Sequence, residues 1–120
     1  PDMQALVHLT PHVGADGFFV FAIRPDGKVL TTESRMFCPV IGIPEDPVSG
    51  NAHGMLSVYL LSNGLLTADG DGVARVVGHQ GRFVDRPGTV EVDVTASGKR
   101  ATSVSVAGHA VTVYQAELEL

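Results

Sequence analysis

Helical periodicity marks two segments of the chain. Apolar residues at three- and four-residue spacing predict a short helix over residues 1–13, and Pro11 predicts that it ends near Leu9. Between residues 50 and 63 the apolar residues cover most of the helical circumference, and Gly64 follows as a natural stop. This second segment is predicted to be a long helix that is buried on nearly all sides.

Strand patterns fill most of the remaining sequence. Aromatic and β-branched residues predict a hairpin, with strands at 18–24 and 28–37 joined by the turn Pro25-Asp26-Gly27. Alternation of period two predicts strands at 73–77, 89–94 and 103–106 and a last strand at 109–120, with a β-bulge near Tyr114-Gln115. Residues 41–49 and 78–88 are predicted to be loops.

Together these elements predict an α+β fold in one domain of residues 1–120. A helix that is apolar all round needs a wall on every side, and about six strands with one apolar face each provide it. The economical arrangement is an antiparallel, β-barrel-like sheet wrapped around one central helix.

Charge and composition exclude several classes of protein. The net charge is −5 and the only adjacent basic pair is Lys99-Arg100, which argues against a nucleic-acid surface. No apolar stretch approaches the roughly 20 residues that a membrane span needs. The single cysteine, Cys38, rules out an internal disulfide and is typical of a reducing compartment such as the cytoplasm. Because the chain begins at Pro1 rather than Met, we expect it to be a piece of a longer protein.

The loop that leads into the second helix carries the most informative chemistry. Glu45 and Asp46 stand between two prolines, and a Ser49-Gly50-Asn51 step follows. A helix start presents N–H groups without intrahelical partners and the positive end of the helix dipole, so this segment predicts a site for a small acidic molecule. The structural alternative is that Asp46 or Ser49 simply caps the helix.

The same segment resembles the phenazine-biosynthesis PhzF-like proteins of the diaminopimelate-epimerase-like superfamily. Their pattern reads approximately R-x-F-x-P-x-x-G-I-x-E-D-P-V-[TS]-G-[SN]-A. This chain supplies its defined positions in order: Arg35, Phe37, Pro39, Gly42, Ile43, Glu45, Asp46, Pro47, Val48, Ser49, Gly50, Asn51 and Ala52. Downstream, Gln80-Gly81, Arg86-Pro87-Gly88 and Gly108 match further family positions, so the resemblance covers essentially the whole chain.

Members of this family resemble tandem proteins of two similar halves, with the active site in the cleft between them. This chain resembles the second half only. The resemblance assigns the catalytic acid/base to the glutamate of a Ser-Glu-Thr segment in the first half, which has no counterpart here. Glu45 matches a different motif position and does not replace it. The implied partners are that N-terminal half or a second copy of this chain in a homodimer.

The resemblance implies an isomerase that shifts a proton on a small amino- or hydroxy-acid without a metal or an organic cofactor. Asp46 is the implied catalytic residue, which hydrogen-bonds the substrate or orients the acid/base pair. The backbone N–H groups of Gly50, Asn51 and Ala52 are implied to bind the substrate carboxylate and to stabilise the enolate-like charge of the reaction. His53, on the first turn, is either a further substrate contact or a residue packed against the wall.

Histidine and cysteine allow a metal or thiol interpretation, which the spacing does not favour. His8 and His12 form the only i,i+4 pair, Pro11 lies between them, and no carboxylate or cysteine completes a ligand set. No metal site is therefore predicted. Cys38 is predicted to be a small apolar strand residue.

Three functional hypotheses are open at this point. The chain is the C-terminal half of a PhzF-like isomerase and is inactive or incomplete alone; or it is a non-catalytic module that binds small carboxylates or dimerises; or two copies pair across a two-fold cleft. In each case Arg35 and Arg86 either pair with an anionic substrate or form salt bridges, with Asp46 or Asp85 as the expected partners.

Overall fold

The computed structural model describes residues 1–24, 27 and 29–119. Within them, two helices and six strands follow one another, which confirms the α+β class. The first two residues of the turn predicted at 25–27 lie outside the described residues. The elements are α1 (Met3–Val13), β1 (Phe18–Arg24), β2 (Leu30–Cys38), β3 (Ile43–Asp46), α2 (Gly50–Ser62), β4 (Val73–Gln80), β5 (Gly88–Ser97) and β6 (Arg100–Gly108).

The sheet is mixed and open, whereas the sequence predicts an antiparallel, barrel-like wall. Its order is β1-β2-β4-β5-β6, with β2 and β4 parallel and the other neighbours antiparallel. The chain leaves β2 through β3 and α2 before it returns as β4, and a crossover of this length permits a parallel pair.

Two strands share one edge of β2, and this arrangement positions the candidate site. β4 pairs with residues 30–34 of β2 and β3 pairs with residues 36–38, while β1 occupies the opposite edge. Gln80, the last residue of β4, lies opposite Ser34, and Asp46, the last residue of β3, lies opposite Met36. The carboxyl ends of β3 and β4 therefore meet beside the same stretch of β2.

The core lies between α2 and the inner faces of β4 and β5. Val90, Val92 and Val94 are buried, as their alternation predicts, while Glu91 and Asp93 between them are exposed. The members of this core from the helix and from β4 are Leu56, Leu60, Leu61, Ala74 and Val76.

α2 is buried on one side rather than on all sides. Met55 is 67% exposed and Tyr59 is 54% exposed, because α2 packs against β4, β5 and β6 and the open sheet does not reach its other side. The end of the helix is as predicted: Gly64 has a φ of 72° and donates its N–H to the Leu61 carbonyl oxygen at 3.0 Å.

Several boundaries differ from the prediction, among them those of α1, β3 and β4; β5 and β6 are also longer than predicted. α1 continues past Leu9 to Val13, because Pro11 removes only one donor in the last turn and Gly14 ends the helix with a φ of 65°. Residues 43–46, predicted to be loop, form β3, which tolerates Pro44 because it is an edge strand with a shifted register. β4 extends to Gln80, so the following loop begins later than predicted.

The predicted last strand is wrong for the described residues 109–119, which are exposed and carry no strand. Alternating apolar side chains such as Val111 and Val113 favour a strand, but a strand needs a neighbour for its backbone groups. β6 ends at Gly108, and the described part of the chain offers these residues no pairing partner. The predicted bulge near Tyr114-Gln115 is absent for the same reason.

Candidate anion-binding site at the start of α2

Gln80 holds the loop between β3 and α2. Its side chain is 1% exposed and bonds to both ends of that loop. Its Nε2 donates to the Asp46 carbonyl oxygen at 2.6 Å and to Ser49 Oγ at 3.0 Å. Its Oε1 accepts from the Ser49 N–H at 3.2 Å. One buried amide therefore fixes the path of the four residues that lead into the helix.

Ser49 stands at the N-cap position of α2 but does not cap it. Its hydroxyl donates to Asp46 Oδ2 at 2.5 Å, and within the described residues no side chain bonds to the first N–H groups of the helix. The first hydrogen bond of α2 runs from the His53 N–H to the Ser49 carbonyl oxygen at 3.2 Å. The alternative in which Asp46 or Ser49 caps the helix is therefore wrong. The N–H groups of the first three helical residues precede that bond, and such groups attract an anion.

His53 lies beneath this helix start and is 1% exposed. Its Nε2 lies 3.1 Å from Gln80 Oε1, and because that oxygen is an acceptor, Nε2 carries the hydrogen. Burial is the main cause that lowers the pKa of His53, so the ring is held neutral. It packs edge-on against Phe19, with ring centroids 5.1 Å apart. These contacts favour the packing interpretation, and a contact of His53 with substrate stays a prediction.

The structure places the five predicted site residues around one junction but not in one hollow. Asp46 lines an open hollow of about 870 Å³, together with Arg86. Gly50 lines a second hollow of about 660 Å³, and Asn51 lines a third between α2 and β6. Ala52 is buried with His53. The roles assigned to these residues stay predictions.

The hollow of Asp46 adjoins the hollow of Gly50. Val48, Pro87, Gly88 and His109 line both of them. A ligand that contacts both Asp46 and the helix start would therefore lie beside these shared residues.

Glu45 is engaged in an ion pair and is not free for catalysis. Arg35 donates from Nε and Nη2 to its two carboxylate oxygens at 3.0 and 2.8 Å, and the Glu45 side chain is 8% exposed. The hydrogen bond to Glu45 raises the pKa of Arg35, whose guanidinium also stacks on Phe37 and Phe83. The salt-bridge interpretation of Arg35 is confirmed, with Glu45 rather than Asp46 or Asp85 as the partner.

The role of Gln80 is not predicted by the sequence, although glycines near it give a signal. A Cβ at Gly81 would lie 2.1 Å from the Arg86 carbonyl oxygen and 2.6 Å from that of Pro47, and Gly81 has a φ of 85°. A Cβ at Gly88 would lie 2.3 Å from a methyl group of Val48. Glycine at these places lets the loop after β4 pack directly on the loop before α2.

The remaining sequence predictions concern the Cys38 thiol, a metal site and membrane-spanning segments. Cys38 is a buried strand residue, as predicted, and burial raises the pKa of its thiol. Among the residues described, no three His, Cys, Asp or Glu side chains are grouped so that they could hold a metal ion. In the same part of the chain, none of the helices has the length and apolar character that crossing a membrane requires.

The fold and the junction define an α+β protein in which the acidic end of β3 leads through a short loop into an uncapped helix start. The chain belongs to the PhzC-PhzF family of phenazine biosynthesis-like proteins, whose pattern matches residues 1–116. This assignment confirms the resemblance carried by residues 35–52.

Relatives of this chain are named as isomerases. It is 46% identical over 117 residues to the uncharacterized isomerase YddE of Escherichia coli K12, covering 98% of this chain and 38% of the relative. It is 35% identical over 120 residues to an uncharacterized isomerase of Clostridium acetobutylicum, covering 100% and 39%. It is 32% identical over 114 residues to trans-2,3-dihydro-3-hydroxyanthranilate isomerase of Pseudomonas fluorescens, covering 93% and 40%. The chain therefore spans about two fifths of the length of these relatives.

Proposed function

We propose that this chain is the C-terminal half of a cofactor-independent isomerase that shifts a proton on a small amino- or hydroxy-acid. Membership of the family and the isomerase names of the relatives support the reaction class. The catalytic glutamate lies on an N-terminal half, so the 120 residues alone are inactive or incomplete. The expected compartment is the cytoplasm.

The observation that carries the proposal is the uncapped start of α2. Ser49 occupies the cap position, yet its hydroxyl is used by Asp46 and Gln80. The substrate carboxylate takes the place that a cap would fill, on the N–H groups of Gly50, Asn51 and Ala52. Backbone donors and the helix dipole favour a negative charge there.

The same donors serve the chemistry as well as binding. Removal of a proton from the α-carbon spreads negative charge towards the carboxylate, and fixed N–H groups stabilise that charge without rearrangement. Asp46 lines the adjoining hollow, where it contacts the reacting end of the substrate or orients the acid/base pair. Arg86 lines the same hollow and adds positive charge near the anionic substrate.

The second half completes the site. The three hollows at the junction are open, and a substrate lying beside Val48 needs a cover on its far side. In this proposal the cover comes from the part of the relatives that this chain does not span, which is more than half of their length. Two copies of this chain facing each other are the other arrangement that would supply a wall.

Uptake of solvent deuterium at the substrate α-carbon tests the proposal. This chain is mixed with the remaining portion of E. coli YddE in D₂O, with trans-2,3-dihydro-3-hydroxyanthranilate and small amino- and hydroxy-acids as candidate substrates. We expect exchange only when both parts are present, and a loss of at least about 100-fold in Asp46→Asn. Asp93→Asn, an exposed carboxylate on β5, is the matched control and keeps full exchange.

Two results would contradict the proposal. Full exchange with this chain alone would refute the role given to the absent glutamate. Exchange that Asp46→Asn leaves intact would refute the role of Asp46. If carboxylates bind equally well to wild type and Asp46→Asn while no assembled form catalyses exchange, the non-catalytic binding module is the correct function.

A further inference from the structure

We propose that Gln80 is a positioning residue that keeps the start of α2 open by occupying the hydroxyl of Ser49, which would otherwise cap the helix. This inference rests on the proposed function, because the proposed carboxylate site needs the first N–H groups of α2 unoccupied. It assigns a role to a buried polar side chain that touches no substrate in the proposed mechanism.

The orientation of the Gln80 amide is fixed by backbone groups. Nε2 faces the Asp46 carbonyl oxygen, which can only accept, and Oε1 faces the Ser49 N–H, which can only donate. A flipped amide would set oxygen against oxygen at 2.6 Å and nitrogen against an N–H at 3.2 Å. The hydrogen on His53 Nε2 follows from this orientation, because Oε1 can only accept. Gln80 therefore presents an N–H, and not an oxygen, to Ser49 Oγ.

This N–H decides what the Ser49 hydroxyl does. Because Oγ accepts from Gln80 Nε2 and donates its own hydrogen to Asp46 Oδ2, it is held towards β3 and β4 and away from the helix. Serine is among the residues that most often cap a helix, by accepting from the N–H of the second or third helical residue. Without the Gln80 donor, the acceptor lone pair of Ser49 Oγ is released for the N–H groups of Asn51 or Ala52, and only its bond to Asp46 Oδ2 opposes the turn.

The packing around Gln80 holds its side chain in place, so its amide stays bonded to Ser49. The side chain is buried at the point where β3 and β4 meet on β2, with His53 on its helix side. Gly81, the next residue, packs without a side chain against the carbonyl oxygens of Pro47 and Arg86. The uncapped helix start is thus a consequence of tertiary packing 31 residues further along the chain.

Amide hydrogen exchange tests the inference without any ligand. In Gln80→Leu, which has similar bulk and no donor, we expect the amide of Asn51 or Ala52 to exchange about fivefold more slowly relative to the rest of α2, since Ser49 becomes its cap. The Ser49 amide is expected to exchange faster, because it loses its acceptor. Val92→Ala, a core change away from this junction, is the control for a general loss of stability.

A second background separates capping from a general structural effect. In Ser49→Ala no hydroxyl is present, so Gln80→Leu should no longer slow exchange at either amide. Unchanged or faster exchange at the amides of both Asn51 and Ala52 in Gln80→Leu overturns the inference. Slowing of the same size when Gln80→Leu is made in the Ser49→Ala background overturns it as well.

The affinity for propionate connects the inference to the site. We expect Gln80→Leu to weaken propionate binding about fivefold, and to have no such effect in the Ser49→Ala background. If wild type does not bind propionate, the proposed function fails while the exchange result still decides the role of Gln80. If binding is weakened equally in both backgrounds, Gln80 does not act through Ser49, and the inference fails alone.

Discussion

The helices α1 and α2 begin in opposite ways. α1 follows Asp2, whose side chain accepts from the Ala5 N–H at 3.1 Å. α2 follows Ser49, an equally good capping residue, whose side chain bonds to Asp46 and Gln80 instead. At the start of α1, the side chain of Asp2 accepts a hydrogen bond from a backbone N–H three residues further on. At the start of α2, the backbone N–H groups receive no side-chain cap from the described residues and stay available to a ligand.

The difference is between local and tertiary control. The start of α1 follows the capping rule, which acts within four residues of the chain. This helix packs mainly on the short turn at 39–41. The start of α2 is set by strands that are distant in sequence, through Gln80 and Gly81. Proteins tend to break local rules where function requires it, and here the broken rule coincides with the family motif. Changes in β3 or β4 should therefore disturb the start of α2 and leave α1 intact.

The largest effect is expected for Gly81→Ala. The new Cβ would meet two carbonyl oxygens at 2.1 and 2.6 Å, and the positive φ adds strain, so we expect a loss of about 3 kcal/mol in the free energy of unfolding. Gly98→Ala has a similar φ of 62° with nothing within 4 Å of the new Cβ, and should cost about 1 kcal/mol. Chemical denaturation measures both. Equal losses would show that contacts at Gly81 do not support the junction.

Arg35→Met should cost about 2 kcal/mol, because it leaves the mostly buried Glu45 without its partner. Amides of the loop before α2 should exchange faster in this variant, since β3 loses its ion pair, while those of α1 keep their rates. Arg75→Met, whose pairs with Asp69 and Asp93 are exposed, should cost less than about 1 kcal/mol. A similar cost for the two variants would contradict the structural role of the Arg35–Glu45 pair.

His53 should make folding sensitive to acid. Burial lowers its pKa in the folded state, with the neighbouring His79 acting in the same direction and the Gln80 hydrogen bond opposing it. As the pH falls through about 6.5, the unfolded chain binds a proton that the folded state resists, so the free energy of unfolding decreases until the lower folded-state pKa is passed. His53→Gln should flatten this decrease in denaturation curves, whereas His8→Gln, on the exposed side of α1, should not. An unchanged slope in His53→Gln would refute the assignment.

The smallest effect is expected for Asp2→Ala, which removes the cap of α1. We expect the free energy of local opening of α1 to fall by about 1 kcal/mol, which is measured as faster exchange of the Ala5 amide. Exchange at the start of α2 should not change. A coupled change there would show that the two helix starts are not independent.

The sequence predicts those features that depend on near neighbours. The burial of Val90, Val92 and Val94 and the stop at Gly64 follow from spacing within a few residues. The family motif also lies within one continuous segment, so the resemblance finds the junction directly.

Features that depend on distant pairing are not predictable in this way. The parallel pairing of β2 with β4 joins residues more than 40 positions apart, and no local pattern distinguishes it from an antiparallel pair. The strand predicted at 109–120 has the right alternation but lacks a neighbour in the described part of the chain. Whether Ser49 caps α2 depends on Gln80, which a local rule does not include.

Chemical-shift titration of the backbone amides with propionate tests the central claim most directly, with propionamide as the uncharged control. The account predicts saturable shifts at Gly50, Asn51 and Ala52 with propionate only, and none at Met3 to Ala5, where Asp2 already fills the helix start. Shifts of the same size at both helix starts, or none at α2, would contradict it.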